Sequence, residues 1–343
     1  MSKDPNASGL DLGQFSRRQF LKTSALAAGA LALPFGPAFA ADKPKVGLVM
    51  KSLANEFFKQ MQAGAEEYAA KNKDKFDFAA VGMKDERDFA AQVDAIENFI
   101  TQNFNVIVVA PADSKAMVTP IAKALKAGIK VINIDVSLDT EAKKKAGIDL
   151  AFFGPDNRAG AKLAGDALGK ALGKGGKVVI LEGNPEADNA KERIQGMKDG
   201  LAGTKIELVD VRGDDIDQAR AKKNVEDALV ASPDITCMVG FYSYNTPRIY
   251  EALRDAGKLG QITVVGFDDD PITLGGVKEG TVAATVVQQP FEWAYQGMKL
   301  MAAYLKGDKS GIPEGGLIIV PTKIIGKDDV DAYAANLKAM AGK

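Results

Sequence analysis

Short apolar runs alternate with amphipathic stretches along this chain. Val46–Met50, Phe76–Val81, Val106–Ala110 and Val131–Asp135 read as strands, followed by Lys177–Glu182, Ile206–Val211, Ile235–Phe241 and Ile262–Asp268. Val282–Gln288 and Leu317–Ile325 complete the set. Between them the apolar spacing becomes helical: Asp88–Asn103 sets Val93, Ile96, Phe99 and Ile100 on one face, and Asn157–Leu172, Asp217–Ser232 and Pro290–Lys306 are further helices. The strands are rich in Val and Ile without clean polar alternation, which predicts burial on both faces by flanking helices. The fold class this implies is α/β, with parallel, doubly wound sheets.

The pattern does not begin at Met1. "SRRQFLK", Ser16 to Lys22, precedes the apolar run Ala25–Leu33, and Ala38-Phe39-Ala40 is a small-x-small cleavage site. That run is too short to span a bilayer. The stretch resembles a twin-arginine export signal, which predicts a periplasmic protein cut after Ala40. A chain of 343 residues less this leader of 40 leaves 303, too many for one comfortable core and suited to two domains. The leader carries four basic and two acidic residues, so the remainder holds 40 Lys and Arg against 43 Asp and Glu, a net charge of −3. Without basic clusters, that balance argues against nucleic acid or an anionic membrane surface as partner.

The chain has no histidine, which removes the usual general base, the commonest metal ligand and every Ser-His-Asp arrangement. Its one cysteine, Cys237, lies in the apolar run "DITCMVGF" and reads as a buried, inert thiol. The triplet Asp268-Asp269-Asp270 lacks the spacing of a calcium loop, and "LGKGGKVVI" precedes its strand where a phosphate loop follows one.

Two passages echo each other. "ALKAGIKVINID" and "ALRDAGKLGQITVVGFD" both run helix, Ala-Gly stop, strand, carboxylate, ending at Asp135 and Asp268. Ligands of open α/β sheets bind at the carboxyl ends of strands. Two similar lobes facing one cleft would bring both carboxylates to one ligand. The side chains at other strand ends or helix starts are Asn55, Phe57 and Phe58, then Asp188, Asn189, Arg193, Asp215, Tyr242, Tyr244 and Gln288. A sugar calls for this mixture: each hydroxyl donates and accepts, and the C–H face of the ring lies against aromatics. Neighbouring helix positions point about 100° apart, so Phe57 and Phe58 are expected not to share one core face, leaving at least one to pack on a ligand. Either Asp alone could instead cap the next helix. A glycosidase using Asp135 and Asp268 as its carboxylate pair is the competing enzymatic reading, because sequence does not give their separation.

"VGLVMKSLANEFFKQMQAGAEEYA", "IVVAPADSKAMVTPIAKALKAGIKVINID", "KERIQGMKDGL", "ITVVGFDDDP" and "AATVVQQP" together resemble the type I periplasmic sugar-binding proteins, in the ribose-binding group. The resemblance implies a non-enzymatic, monomeric solute-binding protein without cofactor or metal. It would take a monosaccharide or polyol to an ABC importer, with a chemoreceptor as a further partner. It implies two Rossmann-like lobes joined by three crossovers, residues 41–154 with 290–320 and residues 155–289 with 321–343. Asn55, Phe57, Phe58 and Asp135 match the contacts of the first lobe; Arg193, Asp268 and Gln288 match those of the second, to which Asn189 is added. Three departures bear on the ligand. Val136 follows Asp135 where ribose-like members carry Arg, Tyr242 stands where Asn is common, and Lys51 replaces a small hydroxyl residue. Ile216 falls where ribose binders carry an aromatic. These departures put ribose itself in question and leave another pentose, a hexose or a polyol open, with a quorum signal or inositol-like compound as the non-sugar alternative.

Overall fold

The structure, a computed structural model, describes residues 43–184, 187–314 and 316–341. The leader and its cleavage site lie outside them. The first strands and helices alternate as β1 Lys45–Met50, α1 Glu56–Lys71, β2 Asp77–Gly82, α2 Phe89–Thr101 and β3 Val106–Val109. They continue as α3 Val118–Lys126, β4 Lys130–Ile134, α4 Thr140–Ala146 and β5 Phe152–Gly154. A second series follows: α5 Asn157–Ala171, β6 Gly176–Glu182, α6 Asp188–Leu201, β7 Ile206–Gly213 and α7 Gln218–Ala231. It ends with β8 Cys237–Gly240, α8 Asn245–Asp255, β9 Thr263–Phe267, α9 Pro271–Glu279 and β10 Ala284–Val287. The chain closes with α10 Pro290–Leu305, β11 Leu317–Ile319, β12 Lys323–Ile325 and α11 Val330–Ala341.

Two six-stranded sheets result, ordered β11-β5-β4-β3-β1-β2 and β12-β10-β9-β8-β6-β7. Among the described residues every strand pairing is parallel except β10 with β12. Each sheet reverses its winding direction once, between β1 and β3 and between β6 and β8, and such switch points open a crevice at the strands' carboxyl ends.

Each central strand feeds two cores. Val46, Leu48 and Met50 of β1 pack with Phe57, Met61 and Trp293 on one side, while Val49 joins Ile96, Phe99 and Ile121 on the other. That double burial is why the strands read as unbroken Val/Ile runs. Helix α10 lies against α1 and β4 of the first sheet, although it follows β10 of the second. The approach is so close that a Cβ at Gly64 would stand 2.1 Å from the Phe291 carbonyl.

The sequence pattern and the structure differ at two places. Leu317–Ile325, read as one strand, is β11 and β12 in different sheets, with Pro321 in the gap, where it has no N–H to give a ladder. β5 has only three residues and so shows no period to read. Cys237 is fully buried, and burial pushes its thiol up to about 12, which leaves it inert at neutral pH.

Candidate functional site

The backbone singles out the two echoing aspartates. Asp135 and Asp268 have φ of +67° and +64°, a left-handed conformation that Asp tolerates and that recurs where a site aims a side chain. At Asp135 the turn is closed by the Val136 N–H on the Ile134 carbonyl at 2.8 Å, and Asn133 clamps the loop by bonding Val136 O and Leu138 N. At Asp268 the Thr285 hydroxyl donates to its carbonyl at 2.7 Å. Neither residue caps a helix: Asp139 and Asp270 do that for α4 and α9.

Both carboxylates face one cavity between the lobes. It is lined by Lys51, Asn55, Phe57, Phe58, Glu86, Asp135, Asn189, Arg193, Tyr242, Ser243, Asp268 and Gln288. Ten of the eleven candidate residues named from the sequence thus converge there. The eleventh, Ile216, lines the grooves on either side of the cavity, one of about 500 Å³ and one of about 120 Å³. Three further strand-end candidates stand elsewhere. Asp215 pairs with Arg220 on the surface, Tyr244 turns its hydroxyl to Asp214, and Asp188 lines crevices beside the cavity.

The first lobe contributes an ion pair and an aromatic wall. Lys51 Nζ lies 3.1 Å from Asp135 Oδ2, with both side chains nine-tenths covered. It also sits 5.6 Å from the centre of the Phe58 ring. The cation beside Asp135 thus comes from the loop after β1. Asn55 caps α1 and gives its amide to Glu86 Oε1 at 2.8 Å. The two phenylalanines depart from the expectation that they cannot share a core face. Both are buried in the same core and both line the cavity, packed edge-to-face at 5.1 Å with Trp293 behind Phe57 at 5.7 Å. Edge-to-face packing accommodates the angle between adjacent positions.

The second lobe contributes a relay. Arg193, 4 % exposed, donates to Asn157 Oδ1 at 2.9 Å, to the Phe241 carbonyl, and to Gln288 Oε1 at 3.1 Å. Gln288 Nε2 passes on to Asp268 Oδ1 at 2.7 Å. The guanidinium lies over Phe267 at 4.7 Å and Tyr242 at 5.6 Å. Asn189 gives its amide to the Tyr242 hydroxyl at 3.3 Å, and its buried Oδ1 has no partner among the described residues.

Among the described residues, side-chain hydrogen bonds reach from one lobe to the other across the cleft. Asn55 Nδ2 donates to Ser243 Oγ at 3.0 Å, and Gln60 Nε2 to Asp269 Oδ1 at 3.3 Å. The cavity measures about 30 Å³, room for roughly two waters, and is partly open to the grooves beside it.

Sequence reasoning missed Glu86, Ser243 and Asn157. Glu86 follows β2, so the strand-end rule applied to it; its setting in "KDERDF" reads as a solvated charge run, yet it is buried. Burial raises its pKa, opposed by Lys51 and the Asn55 bond.

Burial also pushes Asp268 up to about 7 against the pull of Arg193 and Gln288, and Asp214 up to about 7 against the bonds of Tyr244 and Asn245. A raised carboxyl holds its proton in the folded state at a pH where the unfolded chain has lost it. The resulting stability is complete below about 4 and is lost as pH rises toward 7. With no histidine to titrate in this range, the ligand-free protein is expected to melt several degrees higher at pH 5 than at pH 8, the order expected of a few kcal/mol. Asp268→Asn and Asp214→Asn should each flatten the slope in a thermal-unfolding series. A melting temperature that holds or rises from pH 5 to 8 would contradict the assignment.

Comparison with known proteins places this geometry. A sequence profile described as "Periplasmic binding protein domain" matches residues 46–309, and one for the twin-arginine translocation signal matches residues 14–34. A D-ribose/D-allose-binding protein of Pseudomonas aeruginosa is 34 % identical over 83 % of this chain and 89 % of its own length. A D-allose-binding periplasmic protein of Escherichia coli is 32 % identical over 80 % and 87 %. An ABC transporter solute-binding protein of Actinobacillus succinogenes, solved with bound D-allose, superposes with a TM-score of 0.79 at 31 % identity, covering 85 % of this chain and 100 % of that one.

Proposed function

We take as premise that this chain belongs to the type I periplasmic sugar-binding proteins, and we propose that its ligand is an aldohexose of the allose kind. A protein of this family carries a twin-arginine signal here, works in the periplasm without being an enzyme, and captures a monosaccharide for an ABC importer.

One observation carries the finer reading: Lys51 is locked on Asp135 beside the buried Glu86, where a ribose-like pattern calls for Arg at 136. The charged wall of the first lobe thereby moves from the β4 loop to the β1 and β2 loops. Glu86 adds an acceptor for a further hydroxyl, as a hexose has over a pentose. The allose-binding relatives support the same choice.

In this reading the eleven named residues, with Glu86 and Ser243, form the site. Asp135, Asp268 and Glu86 accept hydroxyl protons, Arg193 and Lys51 donate, Asn55, Asn189 and Gln288 do both, and Phe57, Phe58 and Tyr242 supply faces. Ile216 guards the rim. The hinge consists of the three passages between sheets, after Gly154, after Val287 and between Ile319 and Lys323. Residues 41–154 with 290–320 move against residues 155–289 with 321–343. Sugar contacts made by both lobes at once shift the equilibrium toward closure, because only the closed form offers both halves. The closed monomer is the form that an importer, or a chemoreceptor, reads.

Thermal shift and calorimetry on ligand-stripped residues 41–343 with D-allose, D-ribose, other pentoses and hexoses, and inositols test this. At about 100 times its dissociation constant the true ligand adds roughly 2.7 kcal/mol. D-allose is expected to give the largest shift, with D-ribose weaker and the sugar recovered unchanged. Ribose as the tighter ligand would sink the hexose assignment, and a flat sugar panel would move the pocket to another ligand class.

A further inference from the structure

The turn between β7 and α7 carries two consecutive non-glycine residues with positive φ, Asp215 at +53° and Ile216 at +61°. A β-branched side chain is a true outlier there, so the surroundings must impose the conformation. Asp214, fully buried, is what holds it. Its Oδ1 accepts the Ile216 N–H at 2.8 Å and the Tyr244 hydroxyl at 2.6 Å, and its Oδ2 accepts the Asn245 amide at 2.7 Å. Asn245 Oδ1 in turn accepts the Tyr242 N–H at 2.9 Å. Through these bonds one carboxylate that does not line the cavity fixes Ile216 at its rim and Tyr242 in its wall. Next to Tyr242 is Ser243, which bonds Asn55 of the other lobe. The group is tightly packed: a Cβ on Gly183 would lie 3.0 Å from Tyr244 Oη, 3.1 Å from Tyr242 Cζ and 3.2 Å from Ile216 Cγ1.

We propose that Asp214 is the positioning residue for the second lobe's wall, setting from outside the cavity which sugars fit it. The proposal rests on the reading of the cleft as a sugar site. Its physical basis is that in its ionised form the carboxyl accepts from all three partners at once, which no uncharged side chain of that size can do. An alanine releases all three, and an asparagine turns one amide N–H against a donor.

The test compares wild type, Asp214→Ala and Asp214→Asn in two measurements. The first is amide hydrogen exchange at Ile216 and Tyr242 in sugar-free protein, with β6 and β8 amides as internal controls. The second is the ratio of dissociation constants for the best sugar and a weaker one from the panel, measured by calorimetry on folded protein. Exchange at the two amides is expected to quicken at least about tenfold in Asp214→Ala while the controls hold, and the sugar ratio to shrink at least about tenfold, with Asp214→Asn intermediate. The isosteric asparagine keeps the test decisive where the alanine fails to fold. Folded variants with lower melting temperature but unchanged exchange and ratio would overturn the proposal and leave Asp214 a purely structural group. A wild type that binds no sugar would overturn the reading of the cleft and any role in selection. The exchange rates would then still decide whether Asp214 fixes the wall.

Discussion

An Arg193→Met variant should lose at least about 100-fold in sugar affinity and melt about 5 °C lower. Methionine fills similar volume and packs on Phe267 and Tyr242, so the loss reports polarity rather than a void. Removal of the guanidinium strands Asn157 Oδ1, the Phe241 carbonyl and Gln288 Oε1, three acceptors in a buried setting. Removing one partner of a buried charged network costs about 3–5 kcal/mol. Arg193 is also what opposes burial at Asp268, so its loss raises that carboxyl further and leaves it neutral at pH 7. A neutral Asp268 no longer presents two charged acceptor oxygens to a hydroxyl. The variant should therefore be less damaging in the background of Asp268→Asn, and a double-mutant cycle by thermal unfolding and calorimetry would show strong non-additivity. Purely additive losses would mean that the relay through Gln288 does not couple the two residues.

Lys51→Met is expected to weaken the preferred sugar by about 100-fold, and Val136→Arg to restore part of that loss while moving preference toward ribose. Lys51 is the ion-pair partner of Asp135 and the cation that opposes burial at Glu86. Its removal leaves two carboxylates facing each other across one covered space, and like charges so placed repel. An arginine at 136 would leave the backbone next to Asp135 and so return a cation to the same carboxylate from the other side. Dissociation constants for D-allose and D-ribose across the wild type, both single variants and the double variant decide the matter. A double variant as weak as Lys51→Met with no change in preference would show that the cation's origin is irrelevant to selection.

The parts of this molecule that were legible in the sequence are those governed by short-range rules. Val/Ile runs with helices between them gave both doubly wound sheets, and the strand-end rule brought Asp135 and Asp268, 133 positions apart, to one cavity. What escaped depends on packing that no local pattern records. Phe57 and Phe58 fit one core because their rings meet edge to face. Glu86 is buried where its loop meets Asn55 at the cavity between the lobes, a setting that its own charged neighbours do not reveal. Asp214 sits among Asp215 and Asp217, one paired on the surface and one capping α7, and only the distant Tyr244 and Asn245 distinguish it. The three-residue β5 and the split of Leu317–Ile325 were decided by partners from elsewhere in the chain.

The position of α10 has a consequence for how the protein is made. Trp293, fully buried, belongs to the core that also holds Phe57 and Met61, so the first lobe stays unfinished until residues 290–305 have been synthesised. The second lobe is completed later still, by β12 and α11. Both halves are therefore finished only near the end of synthesis, and the long sequence separation of these pairings slows folding. A twin-arginine address, which directs a protein that has already folded, suits a polypeptide whose last sixth closes its first core.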